Sequence, residues 1–519
     1  KPFFISEEAA PFQANWTDAC AQGKGWNGVP CFHEWAAITD GDDAMIRSAD
    51  DNRQLASLEQ SVRTRREKLP EKDRAGRMRI RMTSSIGTNG LNHARAEKIT
   101  ADRTRAQVFF WRADHLGLLN FQYIPRFPGR NALIAEVQAP VTGFLAGTSE
   151  SKTAQNHIFR PGEQFDRIAI LLNNTARAEK LTCRWKLELD GRVLKHGKEE
   201  RTIPPGETVS VPLTCSLPSG TRDRQGLLTV EFLRNGKLLR TDTCPIDILA
   251  KETSPLSCRI ALVDPELQTA RLLDKLGIPY RFLMFDEDFS GFDLIIFGRR
   301  AFRYETGLLP AGRNLGDLLR SGKKILVMEQ EESTLRTRFG FRTEYSSSRS
   351  VFGRLGSGSA LLDGLPDRVL NHWRGSATLT DGYAPAREKG TPRPDEHFGN
   401  GGTWNYLWND GERHPRPMKW GNTHNVATVT VIKPDTGNFR TLVDCEYALN
   451  YAAAWELEYG RGRIVFNQLD VCGRTESDPA AERFFRNLLR HTASPGPEPF
   501  RDIVCAGDDA EQLLRRLNI

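Results

Sequence analysis

The hydrophobic period of the chain changes along its length, and this change constrains the fold more than any other feature. From Leu145 to Ala250, short runs alternate apolar and polar residues, as in Arg184-Trp-Lys-Leu-Glu-Leu. From Cys258 onward, short apolar runs alternate with helical patterns. Alternation is typical of half-buried strands, whereas strands interleaved with helices favour a parallel sheet. The sequence therefore predicts all-β structure followed by α/β structure.

Turn signals refine the all-β prediction. Asp190-Gly191 and Asn235-Gly236 are two-residue hairpin signals, and Pro204-Pro205-Gly206 separates two further runs. About a hundred residues with this spacing suit an immunoglobulin-like β-sandwich. We assign it to residues 145–250 and expect it to position other domains.

The α/β prediction covers residues 256–496. Its strands begin at Arg259, Arg281, Asp293 and Lys324, with a helix from Thr269. A hairpin over 452–466 and a helix over 480–491 close it, after a long surface excursion over 367–425. This order predicts a multidomain protein that combines α/β and all-β parts.

Composition excludes several classes of protein. The 519 residues suggest about three or four domains, and 39% hydrophobic content with 27% charge is typical of a globular protein. No apolar run approaches the ~20 residues of a membrane span. The net charge of +6 is spread along the chain. Its densest basic stretch, residues 63–81, lacks aromatic residues, so we expect no nucleic-acid partner.

Metal and cofactor motifs are not apparent in the sequence. The nine cysteines form no CxxC pair and have no histidine partners, so zinc and redox sites are not expected. Two of Cys183, Cys215 and Cys244 could form a disulfide, although the odd total leaves one thiol free. The segment Gly353-Arg-Leu-Gly-Ser-Gly has the wrong spacing for a dinucleotide fingerprint, which disfavours a nucleotide-binding protein.

The first eight residues, Lys-Pro-Phe-Phe-Ile-Ser-Glu-Glu, are typical of a buried strand that ends on two carboxylates. Enzymes with a (β/α)8 barrel place catalytic groups at such strand ends, although a solvated loop is the alternative. A leader is not visible, but a chain that opens within a strand leaves export undecided. Residues 497–519 repeat the strand–helix pattern, so we expect the start of a further α/β unit and a chain that belongs to a longer polypeptide.

The α/β segment resembles the class I glutamine amidotransferase-like, flavodoxin-like domain of large bacterial β-galactosidase-like glycoside hydrolases. The run Tyr459-Gly-Arg-Gly-Arg-Ile-Val-Phe-Asn-Gln-Leu-Asp carries much of the likeness. Active amidotransferases have a Cys at a strand-to-helix turn, whereas here the strand from Lys324 continues into Glu329-Gln330. The resemblance thus implies a domain that does not hydrolyse glutamine and serves packing, oligomerisation or sugar contact.

Residues 1–130 resemble the C-terminal part of the catalytic barrel of the same enzymes, through Phe109-Phe-Trp-Arg-Ala-Asp-His and the linker from Pro128. The resemblance implies a retaining β-glycoside hydrolase related to family 2, in which the carboxylate of a Ser-Glu pair attacks the anomeric carbon. Glu7 is then the nucleophile. Glu8 is the fallback, and Glu34 is the third candidate.

The same resemblance implies an oligo- or polysaccharide substrate. Flat aromatic faces and a histidine would surround the sugar, although a Trp in an apolar stretch is more often part of a core. The candidate substrate-binding residues are Trp16, Trp26, His33, Glu34 and Trp35. A homo-oligomer and a secreted or periplasmic location are further expectations from the resemblance.

The general acid is not assigned, because only about 130 residues of a barrel of ~250 are recognised. Either an upstream segment or a second chain completes the barrel, or the barrel remnant is inert. The predicted function is therefore hydrolysis of β-glycosidic bonds as part of a larger enzyme, and the alternative is a non-catalytic carbohydrate-binding or assembly protein.

Overall fold

The computed structural model describes residues 129–150, 152, 154–304, 314–348, 351–353, 360–365, 369–375, 378–379, 426–434, 438–445 and 451–495. It also describes residues 3–5 and 116–119 and the helical positions 101, 105, 108, 109, 112 and 113. This part of the chain is mixed α/β, with many strands and few helices. None of its helices is long and apolar enough to span a membrane.

The strands and helices are numbered in chain order. The strands are β1 (Phe3–Ile5), β2 (Leu116–Leu119), β3 (Val141–Ala146), β4 (Ile158–Phe159), β5 (Gln164–Asn173), β6 (Glu179–Leu189), β7 (Arg192–Ile203), β8 (Thr208–Ser216), β9 (Arg224–Arg234), β10 (Lys237–Ile248), β11 (Ile260–Val263), β12 (Arg281–Phe282), β13 (Leu294–Phe297), β14 (Lys324–Val327), β15 (Thr343–Ser348), β16 (Val351–Gly353), β17 (Ala427–Ile432), β18 (Phe439–Cys445), β19 (Tyr451–Tyr459) and β20 (Gly462–Asn467). The α-helices are α1 (Arg130–Val137), α2 (Gln268–Lys275), α3 (Leu315–Arg320), α4 (Glu332–Thr337) and α5 (Pro479–Ala493).

Two sheets built from residues 141–248 share one hydrophobic core. We call them the paired sheets. The smaller sheet has the order β3-β5-β8 and the larger has the order β4-β10-β9-β6-β7. Inward residues of both sheets, such as Leu171, Leu213, Leu187 and Val230, are buried in the shared core. This alternating burial is what the period of two predicts. The immunoglobulin-like assignment and the boundaries 145–250 stay predictions.

Both predicted hairpin turns are confirmed. Asp190 (φ 49°) and Gly191 (φ 75°) connect β6 to β7, and Asn235 (φ 52°) and Gly236 (φ 78°) connect β9 to β10. Two successive residues with positive φ give the type I′ geometry that matches the twist of a hairpin. These turns therefore fix the register of the strand pairs β6–β7 and β9–β10.

The disulfide considered for the strand-rich segment is absent. Cys183, Cys215 and Cys244 are free thiols, and the first two are buried between the sheets. They contribute apolar packing to this core.

A ten-stranded sheet forms the second part of the described structure. Its first five strands run parallel in the order β12-β11-β13-β14-β20, and β19, β17, β15, β16 and β18 extend it in antiparallel fashion. The order second-first-third-fourth-fifth is that of one common doubly wound arrangement. The strand predicted from Arg281 to Phe285 covers Arg281–Phe282 alone, and both residues are exposed.

Helices cover the parallel sheet on both faces. Successive residues of β11 and β13 alternate between two cores, with Leu262 and Ile296 in one and Val263 and Phe297 in the other. Helices α2 and α5 supply residues to the first core, and α3 and α4 supply residues to the second. Burial on both faces explains why these strands are continuously apolar in the sequence.

The surface excursion predicted for residues 367–425 is wrong for its first residues. Val369, Leu370 and Trp373 are buried in the core beneath α5. The Trp373 Nε1 donates to the Val369 carbonyl (3.0 Å), which satisfies the indole N–H inside the core. This stretch has no periodic hydrophobic pattern, so the sequence did not indicate that it belongs to the core.

Polar contacts join the paired sheets to the parallel sheet. Arg160 donates to Glu482 Oε2 (3.1 Å) and to the Thr475 carbonyl (2.6 Å). Arg374 pairs with Glu163 at 2.9 Å. Arg483 contacts Asp223 at 3.2 Å. The core of the α/β part also includes Ile158 and Leu249 from the paired sheets, so the two parts share apolar packing as well.

Candidate functional site

The residues predicted to bind and cleave a sugar lie outside the described part of the chain. They are Glu7, Glu8, Trp16, Trp26, His33, Glu34 and Trp35. Most of the predicted barrel over 1–130, and the further unit over 497–519, lie outside it too.

The strand that leads to Glu7 is described. The strand β1 ends at Ile5, two residues before Glu7, and pairs in parallel with β2. In this register Ile5 lies opposite Leu119, so both strands end at the same edge. Parallel pairing is found mostly in sheets of α/β proteins.

A second polar site lies at the carboxyl ends of the parallel strands β11, β13, β14 and β20. We call it the carboxyl-edge cluster and define it by six side chains: Asp264, Arg299, Glu329, Asp470, Cys472 and Arg474. The first four lie one to three residues beyond the ends of the four strands, and parallel strands place their carboxyl ends at one sheet edge. Asp264, Arg299, Glu329, Asp470 and Arg474 are each no more than 2% exposed.

Glu329 lies two residues after the end of β14. Its Oε1 accepts from the Cys472 backbone N–H (3.0 Å), and the Cys472 Sγ lies 3.6 Å from its Oε2. Burial raises the pKa of the Glu329 carboxyl to about 7, against the opposing effect of Arg299. A protonated carboxyl is therefore substantially populated at neutral pH.

Arg299 and Asp470 form the charged centre of the cluster. The Arg299 Nη1 lies 3.6 Å from Asp470 Oδ1 and donates to Thr378 Oγ1 (2.6 Å). The Asp470 Oδ2 accepts from the Thr378 backbone N–H (2.8 Å) and from Arg474 Nε (3.2 Å). Since Arg299 and Arg474 flank Asp470, this carboxylate is compensated despite its burial.

Asp264 connects the cluster to α2. Its Oδ2 accepts from the Ala270 backbone N–H (2.7 Å) in the first turn of that helix. Burial raises the pKa of Asp264 to about 6. A Cβ at Gly298 would lie 2.4 Å from Asp264 Oδ1, so glycine is needed where β13 passes this carboxyl.

Cys472 does not have the environment of a catalytic thiol. Burial, with the Glu329 carboxyl adding to it, raises the pKa of the thiol well above its usual range. Nucleophilic thiols instead lie beside cationic groups that lower the pKa. The cluster can hold a proton on a carboxyl, but it does not supply a thiolate.

Two glutamine side chains extend the parallel sheet beyond its strands. The Gln330 N–H donates to Gln468 Oε1 (2.7 Å), and Gln468 Nε2 donates to the Gln330 carbonyl (2.8 Å). The Gln330 Nε2 also donates to the carbonyls of Gly298 and Met328. The hydrogen bonds of these amides connect the chain just beyond the ends of β13, β14 and β20.

The sequence predicted Glu329 and Gln330 after β14 but missed the other members of the cluster. A usable signal was present, because Asp264 and Arg299 also follow closely on four-residue apolar strands. The membership of Cys472 in the cluster could be recognised only from the three-dimensional structure. Within the described residues, no group of three or more His, Cys, Asp or Glu side chains has the arrangement of a metal site.

Comparison with known proteins gives similarity to parts of solved structures. No protein-family model matches the sequence, and no curated protein matches it significantly. A β-glucosidase from Listeria innocua, solved with gluconolactone, matches with 14% identity over 21% of this chain and 16% of that chain, with a TM-score of 0.17.

Two further matches have similar scores. A cycloisomaltooligosaccharide glucanotransferase from Paenibacillus sp. matches with 14% identity over 40% of this chain and 31% of that chain (TM-score 0.18). A CARDB domain from Pyrococcus furiosus matches with 10% identity over 21% of this chain and 94% of that domain (TM-score 0.16). Several of these neighbours are carbohydrate-active enzymes, but TM-scores this low assign the chain neither a fold nor a function.

Proposed function

We propose that the chain contributes the nucleophile of a retaining β-glycoside hydrolase, with Glu7 as that nucleophile. Its carboxylate would attack the anomeric carbon and form a glycosyl-enzyme, which water then hydrolyses. A second carboxyl would protonate the leaving oxygen, and no residue is assigned to this role. The proposed substrate is an oligo- or polysaccharide held by Trp16, Trp26, His33 and Trp35.

The observation that carries this proposal is the parallel pairing of β1 with β2. It supports a (β/α)8 barrel because Glu7 follows in the sequence two residues after β1, a strand that has a parallel neighbour. The carboxyl-end face is where enzymes of this fold place their catalytic side chains.

The α/β part has a supporting role in this proposal. If it is amidotransferase-like, Glu329 stands where the nucleophilic thiol would be, and the Cys472 thiol is protonated. The ion pairs from Arg160, Arg374 and Arg483 hold this part against the paired sheets. Such a unit would position the barrel and provide surface for a homo-oligomer.

The test replaces Glu7 with Gln in the full chain and measures hydrolysis of aryl β-galactosides, β-glucosides and β-glucuronides. Loss of the nucleophile should lower kcat by about 10³-fold or more. In Glu7→Ala, azide should restore cleavage of the aryl bond and give a glycosyl azide of inverted configuration, because it can occupy the space of the carboxylate.

The matched control is Glu8→Gln, which changes the neighbouring carboxylate and should retain most of the activity. Equal losses in both variants would leave Glu7 without a special role. Unchanged turnover in Glu7→Gln would refute the nucleophile assignment. A chain that binds saccharides but cleaves none of them would instead be a carbohydrate-binding or assembly protein.

A further inference from the structure

A groove of about 510 Å³ lies where the paired sheets meet Arg105, Phe109 and the segment 371–372 of the α/β part. We call it the arginine groove. Its volume is in the range of small-molecule sites. Its described lining comes from six separate pieces of chain, including β10 and the end of β3. Among the described residues that line it, none belongs to the carboxyl-edge cluster.

The charged side chains of its described lining are predominantly basic. Arg105, Arg167 and Arg240 line it with one carboxyl, that of Asp242, and Glu136 beside the groove pairs with Arg105 and Arg240, so three guanidinium groups stand against two carboxyls. Burial raises the pKa of Asp242, against the opposing effects of Arg240 and of the Leu145 backbone N–H. Guanidinium groups present fixed forks of donors that match the oxygens of carboxylate and sulfate groups. The groove is therefore suited to an anionic ligand.

Existing contacts hold these arginines in place. Arg105 Nε donates to Glu136 at 2.9 Å, and Arg240 pairs with the same carboxylate and with Asp242. Arg167 donates to the Asp166 carbonyl (2.8 Å) and to the Asn156 carbonyl. Because the side chains are already ordered, binding would cost little conformational entropy.

The remaining lining combines apolar rings with neutral polar groups. Phe109 and Phe144 stack with centroids 5.2 Å apart, and Arg240 lies 4.7 Å above the Phe109 ring. Gln155, Asn371, Thr241 and Thr243 add amide and hydroxyl groups. This mixture suits a ligand with hydroxyl groups and apolar faces as well as a negative charge.

One residue of the lining has a strained backbone. His372 has a φ of 54°, a conformation that costs a residue with a side chain about 1–3 kcal/mol. The neighbouring Asn371 Oδ1 accepts from the Val351 N–H (3.1 Å), which fixes this segment. Strain of this kind is concentrated at ligand sites.

We propose that the arginine groove is a binding subsite for an acidic saccharide, one that carries a carboxylate or sulfate group on a sugar framework. The saccharide part of this proposal rests on the proposed function. The acidic part rests on the charges of the groove alone.

The test is calorimetric titration of the full-length parent and Glu7→Gln proteins with four probes, so that binding is measured whether or not Glu7 is the nucleophile. These are a galacturonate trisaccharide, a sulfated trisaccharide, a neutral galactose trisaccharide and sodium sulfate alone. At least one acidic saccharide should bind about tenfold or more tightly than the neutral one, as expected for one charge-assisted hydrogen bond. The two acidic probes distinguish carboxylate from sulfate recognition, and sodium sulfate tests whether the sugar contributes.

Two variants locate the binding. Arg105→Gln should lower the affinity for the acidic saccharide by about tenfold. Its side chain is 30% exposed, so the fold should tolerate the change. Thr243→Trp should block the groove while keeping its charges. The control is Arg184→Gln, which removes the ion pair with Glu231 on an outer strand surface. Equal binding of acidic and neutral probes, no binding at millimolar concentration, or no effect of either groove variant would overturn the proposal.

Discussion

At the scale of single residues, the carboxyl-edge cluster combines more acids than bases. There are three carboxyls, Asp264, Glu329 and Asp470, and two guanidinium groups, Arg299 and Arg474. Protonation of one carboxyl therefore balances the charge of the cluster. Glu329 fits this role because its carboxyl is enclosed and the burial cost outweighs the attraction of Arg299. Its pKa of about 7 in the folded protein lies above the ordinary value of 4.5.

Glu329→Gln should remove this dependence of stability on pH. Between pH 4.5 and about 7 the Glu329 carboxyl is protonated in the folded protein but ionised in the unfolded chain. The free energy of unfolding therefore falls as the pH rises through this range and stays low above it. The amide keeps the shape without the charge. The variant should therefore exceed the parent at pH 8 by up to about 3 kcal/mol and by much less at pH 5.

Urea unfolding of parent and variant at both pH values measures this difference. Glu231→Gln, on the outer face of β9, is the control and should show no such change with pH. A Glu329→Gln effect of the same size at pH 5 and pH 8 would show that the carboxyl is not protonated in the folded protein.

At the scale of elements, the contact of α3 with the start of β20 is unusually close. A Cβ placed on Gly462 would lie 2.3 Å from the Leu319 carbonyl oxygen and 2.5 Å from its Cα. These are backbone atoms, so a rotamer change cannot relieve the clash. The glycine allows the helix to pack directly on the edge of the hairpin β19–β20.

Gly462→Ala should therefore destabilise the protein by about 1–3 kcal/mol, the usual cost of overpacking. The measurement is the urea midpoint at constant pH. Gly220→Ala is the matched control, because a Cβ there has no atom within 4 Å. If both variants unfold at the same midpoint, α3 can shift without cost and the close contact does not limit stability.

At the scale of the whole molecule, the paired sheets and the parallel sheet share a core and an ion-pair interface. Glu482 is 6% exposed and receives Arg160 across the interface. Arg483 donates to the Ala250 carbonyl (2.9 Å) in addition to contacting Asp223. Contacts of this kind should make the two parts unfold together.

The double variant Arg160→Gln/Arg483→Gln should uncouple them. Each change removes charge-assisted hydrogen bonds, so we expect a loss of about 2 kcal/mol or more. Scanning calorimetry should show one transition for these parts in the parent and two in the variant. The control, Lys180→Gln/Arg184→Gln, removes two ion pairs within one sheet. A single unshifted transition in the interface variant would contradict the coupling.

The parts of the fold that could be predicted are those governed by local chemistry. Asn235-Gly236 favours one turn geometry, and the strand at Leu294 is apolar throughout because both its faces are buried. Trp373 was misplaced because its burial depends on α5, which follows about a hundred residues later in the chain. Arg299 and Cys472 were missed for the same reason, since their proximity is a property of the sheet order and not of any local pattern.

The strand order of the parallel sheet has a consequence for biosynthesis. The first four strands come from residues 260–327, but the partner of β14 on its other side is β20. About 140 residues separate the paired residues Lys324 and Arg463, and at about 5–20 residues per second they take roughly 7–28 s to synthesise. During that interval the backbone N–H and C=O groups on this edge of β14 have no strand partner. Ribosome-associated chaperones would find their target there.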